Sequence, residues 1–173
     1  IPVDEALERV GDAPSLLISG GSDAAGRVPV AARLDVVREL AVGRRLNWHV
    51  GLIDEDAMDA IAPYVHTVSF DIVGDDGTIR EVYGLQRGVA DYARVFAGLA
   101  RRFPVVPHLT IGLRGGALGH ERPALRLLQE LGGFDQLVFL VLIPTAGTAY
   151  ADRQPPAAEE AAEIIAEARL LFP

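Results

Sequence analysis

Five short apolar runs divide the chain, at residues 16–19, 46–51, 67–73, 105–112 and 137–143. Each is too densely hydrophobic for the alternation of a half-exposed strand, and strands apolar on both faces belong to parallel sheets covered by helices. The stretches between the runs follow helical spacing. Pro29 opens one of them, Leu34, Val37 and Leu40 share a face, and Gly43 closes it. Asp54 caps a second, which Pro63 stops. Val89, Tyr92, Val95, Phe96 and Leu99 stripe a third, with Arg101 and Arg102 at the end where a helix favours positive charge. Pro123 starts a fourth that Gly132 ends, and Pro155-Pro156 introduces a fifth carrying Ile164, Ile165, Ala168 and Leu171.

Strand then helix, five times over, predicts an α/β fold. Because every run exits into glycine, polar or charged residues on the same side, the arrangement expected is a partial TIM-type barrel. It comprises about five βα units with parallel strands in a single domain over residues 1–173. The chain opens at Ile1 without a methionine and at once enters a helical pattern at Val3, Leu7 and Val10, so the expected domain edge lies upstream of it.

Composition removes several functions. A net charge of −8 leaves no basic stripe to follow a phosphate backbone, which argues against nucleic acid as a partner. No apolar stretch approaches the roughly 20 residues of a membrane span, and no secretory leader opens the sequence, so a cytoplasmic protein without a membrane partner is expected. The chain has no cysteine, which excludes disulfides, thiolate metal sites and a cysteine nucleophile from these residues. All 16 basic residues are arginine, so Schiff-base chemistry on lysine is excluded as well.

In parallel α/β folds ligands bind beyond the carboxyl ends of the strands, which gives the search for chemistry its address. The first exit, Ser19-Gly20-Gly21-Ser22-Asp23, either lets the backbone approach a ligand with no Cβ in the way or makes a tight turn. At the second, Asn47 and His49 alternate onto one face. At the third, Ser69 and Asp71 do the same inside an apolar strand. A buried carboxylate is costly alone, so Asp71 calls for an arginine, a ribose diol or a cation. Asp75 and Asp76, just beyond, read as solvated turn residues. The fourth exit places His108, Thr110, Gly112 and Arg114 on one face, with Arg114 suited to clamp a carboxylate. The fifth carries Pro144, Thr145, Gly147 and Thr148.

The blocks "LLISGGSDAAGRVP", "NWHVGLID", "VSFDIVGDDGTIREVYGL", "PHLTIGLRGG" and "LVFLVLIPTAGTAY" resemble, in this order, the radical S-adenosylmethionine superfamily. The likeness is to its biotin-synthase-like and lipoyl-synthase-like branch, including archaeal-type homologues of biotin synthase. It implies a partial barrel that binds S-adenosylmethionine for 5′-deoxyadenosyl radical generation and C–H activation, with sulfur insertion of the biotin or lipoyl type as the branch's reaction. It implies cofactor contacts from Gly20, Gly21 and Ser22, where the family's usual third residue is glutamate. Ser69 and Asp71 would hold ribose and carboxylate, Thr110 and Gly112 would lie by the adenine, and Pro144 and Gly147 would form the last turn. Asn47, His49 and Arg114 are the substrate-side candidates.

Family members hold a [4Fe–4S] cluster on three cysteines after the first of six strands. With no cysteine and five units, the resemblance implies that the cluster, and the first βα unit, reside on a missing N-terminal segment or a partner chain, and that these residues alone are inactive and carry no metal. The expected partners are a small-molecule substrate or a lipoyl-type carrier. Two other readings stay open: a metal- or phosphate-dependent TIM-barrel enzyme using His49, Asp71 and His108, and a non-catalytic nucleotide-binding remnant.

Overall fold

The computed structural model describes residues 2–173, so Ile1 and the expected edge upstream of it lie outside the described residues. A helix α1 (Val3–Arg9) leads into β1 (Ser15–Ile18), followed by α2 (Leu34–Leu40), β2 (Arg45–His49), α3 (Glu55–Ile61) and β3 (Thr67–Asp71). Two helices, α4 (Asp76–Tyr83) and α5 (Val89–Ala100), then precede β4 (Val105–Ile111). The chain ends with α6 (Glu121–Leu131), β5 (Val138–Val141) and α7 (Ala158–Leu171).

All four strand pairs are parallel and the order is β1-β2-β3-β4-β5, so each strand lies beside the next one in sequence. The sheet curls into a half-barrel with helices alternating along it, as the sequence pattern predicts. Its convex face is the core. Trp48, Val68, Phe70, Leu109 and Ile111 point from the strands into a layer that includes Met58, Ile61, Phe96, Leu99 and Ile164 from the helices, all essentially solvent-free. Each such side chain contributes roughly 1.5–3 kcal/mol of burial. Phe70 packs on Phe96, Phe96 on Phe134 and Phe134 on Phe172, a chain of ring contacts running from β3 to the C-terminus. The Trp48 indole, which could not be buried without a partner, donates to the Tyr64 carbonyl at 3.2 Å.

Local chemistry moves several boundaries from their expected places. Asp75 and Asp76 are not turn residues, although Asp76 is solvent-exposed as expected. Asp75 caps α4, accepting from the Thr78 amide at 2.8 Å and the Thr78 hydroxyl at 2.6 Å, while Asp76 accepts the Val89 amide at 2.8 Å. The third unit therefore carries two helices. Pro29 precedes a 3-10 turn (Val30–Arg33), and the α-helix begins only at Leu34. Pro123 sits inside the first turn of α6 instead of opening it. On α7, Ala161, Ile164 and Ala168 are buried while Ile165 is 43 % exposed, so the buried stripe is narrower than expected.

The loop leaving β1 folds back on the end of β2. Val28 donates to Val50 O at 3.1 Å, Leu52 donates to Gly26 O at 2.8 Å, and Arg27 bridges to Gly51. Asp23 fixes this loop by accepting the Ala25 and Arg27 amides, and the Arg27 guanidinium pairs with both Asp23 and Asp54. The first two strand exits are thus tied together before any ligand is considered.

Candidate functional site

Side chains alternate across a strand, so burying Trp48, Phe70 and Leu109 under the helices sends their neighbours to the concave face. That face carries Asn47 and His49 on β2, Thr67, Ser69 and Asp71 on β3, and His108 and Thr110 on β4. Register aligns them: His49 is the partner of Ser69, and Asp71 the partner of His108. Asn47 and Ser69 satisfy each other, the amide donating to the hydroxyl at 3.0 Å and the hydroxyl donating to the amide oxygen at 3.1 Å.

Among the side chains of the chain, Asp71 finds its partners in two histidines and not in an arginine. Its Oδ2 lies 3.1 Å from His49 Nε2, a diagonal contact between adjacent strands, and its Oδ1 lies 3.8 Å from His108 Nδ1. The two imidazoles are nearly parallel, with ring centroids 6.2 Å apart. One carboxylate therefore stands between two histidines in unequal environments. The hydrogen bond that His49 donates to Asp71 raises the His49 pKa above its ordinary value, outweighing burial. For His108 burial dominates and lowers the pKa, with Asp71 opposing and His49 reinforcing the shift. Two titratable groups pushed apart around one charge are suited to hold and to accept a proton, respectively.

A cavity of about 150 Å³ opens at the ends of β1, β2 and β3. Gly20 and Ser22 border it on the first exit, His49 and Gly51 on the second, and Asp71 on the third. Phe70, Tyr83 and Tyr92 supply aromatic walls, and Gly26, Val28, Leu52 and Leu85 close it. Burial and the Asp71 charge push the Tyr92 phenol up to about 12. Burial, Asp71 and Tyr92 raise the Tyr83 phenol too, although Tyr83 keeps 37 % of its surface exposed, which moderates the effect. Both phenols stay protonated at neutral pH. The tyrosines are the site residues that reading the strand exits misses, because they come from α4 and α5. The one signal for them is the apolar stripe that includes Tyr92, in which a hydroxyl is the one polar atom.

The remaining candidates separate. Gly20, Ser22, His49 and Asp71 come together around the cavity, and Gly21 follows Gly20 with open space where a Cβ would stand. Ser69 is buried and paired with Asn47. Thr110 is half-buried on the concave face. Gly112, at φ +72°, abuts Pro156 and donates its amide to Glu121, a packing role. Arg114 is held by Glu81, which also accepts the Tyr150 hydroxyl, and so lies outside this cavity with its charge neutralised. Pro144 and Gly147 lie on the loop after β5, where Gly147 takes a left-handed turn conformation at φ +83°.

His120 and Glu121 are buried, and nothing in the sequence pattern singles them out. His120 Nε2 donates to Thr110 O at 2.9 Å and its Nδ1 accepts from Gly74, while Glu121 accepts the amides of Gly112 at 2.8 Å and Gly119 at 2.6 Å. They lock the β4 exit to the β3 exit. Among the described residues no three His, Cys, Asp or Glu side chains are arranged to hold a metal ion, and no helix is long and apolar enough to cross a membrane. No protein-family model and no curated protein sequence matches the chain.

Proposed function

We propose that this half-barrel is the S-adenosylmethionine-binding part of a cytoplasmic radical enzyme of the biotin-synthase and lipoyl-synthase type. The reading is carried by one observation: residues from three blocks of the resemblance, Gly20 with Ser22, His49, and Asp71, border one cavity at the carboxyl edge of a parallel, curled sheet. The open space at Gly21 favours the same reading, since packing gives no reason for a glycine there.

The cofactor would be held by Gly20, Gly21, Ser22 and Asp71, with Ser69 and Thr110 on the neighbouring concave face. At 150 Å³ the cavity suits the amino-acid end of the molecule and not the whole nucleoside. Together with an iron–sulfur cluster, S-adenosylmethionine would supply the radical that takes hydrogen from an unactivated carbon. The cluster does not fit these residues, because they include no cysteine. Its ligands belong to polypeptide outside this chain, either a preceding segment or a partner. This chain's own residues shield the cavity with Phe70, Tyr83, Tyr92 and Leu85, and orient polar groups with Asp71 and His49. The substrate would be a small molecule or a lipoyl-type carrier.

Equilibrium dialysis with labelled S-adenosylmethionine tests the proposal on the chain itself. Saturable binding is expected near the millimolar range, about −4 kcal/mol, because iron chelation is lacking. Its absence at several millimolar overturns the reading. A second reading, a proton-transfer enzyme on a barrel scaffold, is favoured by the opposed shifts of His49 and His108 around Asp71. It gains if the chain ignores S-adenosylmethionine.

A further inference from the structure

We propose that His49 and His108 together form a proton-linked receptor for a monovalent oxyanion, a carboxylate of the substrate, on the concave face beside the cavity. The inference rests on the reading of this face as the substrate side of the reaction above. His49 spends Nε2 on Asp71 and keeps Nδ1, while His108 turns Nδ1 toward Asp71 and keeps Nε2. Both side chains remain partly open, at 32 % and 21 % exposure. Rings 6.2 Å apart can be bridged by one carboxylate, whose two oxygens with a hydrogen bond at each end span about 7–8 Å.

Charge selects the anion. Asp71 and a protonated His49 cancel, and Arg114 is already paired with Glu81, so the spare positive charge arises when His108 takes a proton. One added charge matches a monoanion and leaves a dianion under-compensated in a half-buried place. The groups facing His108 are Asp71 from β3 and His49 from β2; β5 places Val138 alongside it, and Tyr83 and Tyr92, near Asp71, remain neutral. Above the His108 midpoint the imidazole is neutral, so a carboxylate that binds there brings a proton with it. Affinity therefore rises about tenfold per pH unit as pH falls toward the His108 midpoint.

The experiment is NMR of the histidine side chains in the full chain, titrated with pH in sodium acetate, sodium chloride or sodium sulfate at equal ionic strength. Acetate is expected to raise the His108 midpoint by about half a unit, a threefold stabilisation of its protonated form, relative to chloride. The exposed His66 reports non-specific salt effects and should respond alike to both salts. His49→Gln should abolish the acetate effect, and if that variant fails to fold, His49→Asn, which also removes the imidazole, should abolish it instead. Equal responses of His66 and His108, or a larger effect of sulfate, a dianion throughout the titration, than of acetate, overturns the proposal. S-adenosylmethionine is absent throughout, so failure of the cofactor reading and failure of this one are told apart.

Discussion

His49 Nε2 lies 3.1 Å from Asp71 Oδ2, and this contact, made across two adjacent parallel strands, sets the charge of the concave face. His49, Asp71 and His108 share the carboxyl end of the face, and the two histidines shift in opposite directions: His49 is held more strongly protonated than an ordinary histidine, His108 less so.

Stability should consequently peak near pH 6.5, the ordinary histidine value. His49, with its pKa raised, stabilises the fold fully below that pH, and the contribution is lost as pH climbs through its folded value. His108, with its pKa lowered, acts in the other direction: the unfolded chain binds the extra proton, so stability falls as pH drops from 6.5 toward its folded value. Urea unfolding across pH measures this. His49→Gln should flatten the alkaline limb and His108→Gln the acid limb; if each variant leaves its limb intact, the coupling is wrong.

The Asn47–Ser69 pair, reciprocal at 3.0 and 3.1 Å, should show strong non-additivity. Ser69 is buried at 3 % exposure, so Ser69→Ala strands the Asn47 amide and is expected to cost about 1–3 kcal/mol. Asn47→Leu with Ser69→Ala removes both partners and should recover much of that loss. A double-mutant cycle by chemical denaturation checks it, and simple additivity of the single losses refutes it.

Glu121 is expected to matter more than its place in a surface-looking sequence suggests. Both oxygens accept backbone amides, from Gly112 and Gly119, and the side chain is 1 % exposed. Glu121→Gln turns one acceptor into a donor facing an N–H, and a loss of about 2–4 kcal/mol is expected. Thermal unfolding of the variant reads this directly, and a change below about 0.5 kcal/mol would contradict the role of Glu121 in holding the β4 exit to the start of α6.

The architecture is legible in the sequence because hydrophobic runs and helical stripes are read from the same side chains that later pack: Trp48, Phe70 and Leu109 are both the pattern and the core. What the pattern hides depends on contacts between distant residues. The Asp75–Thr78 cap conceals α4 in a stretch that looks like an acidic loop, and α4 delivers Tyr83 to the cavity. The alternation of His49 and Asp71 is visible in the sequence, but their pairing needs the register that sets His49 opposite Ser69. Arg114 shows the reverse case, since its promise as an anion clamp disappears once Glu81, 33 residues earlier, reaches it.

Glycines offer a way to separate folding from ligand binding. Gly51, at φ +60°, would drive a Cβ into the Gly26 carbonyl oxygen, and Gly116, at φ +92°, into that of Gln154; both contacts are backbone and cannot yield cheaply. Gly51→Ala and Gly116→Ala are therefore expected to destabilise by about 3 kcal/mol or more, from the clash together with the left-handed conformation. Gly21 has an ordinary φ and nothing within 4 Å of a Cβ, so Gly21→Ala should leave the unfolding free energy within about 0.5 kcal/mol of the parent. If the glycine exists to admit a ligand, the same substitution should weaken S-adenosylmethionine binding several-fold in the dialysis measurement. Unchanged binding in a Gly21→Ala chain of unchanged stability would place the ligand elsewhere on the sheet edge and leave this glycine without a role in binding.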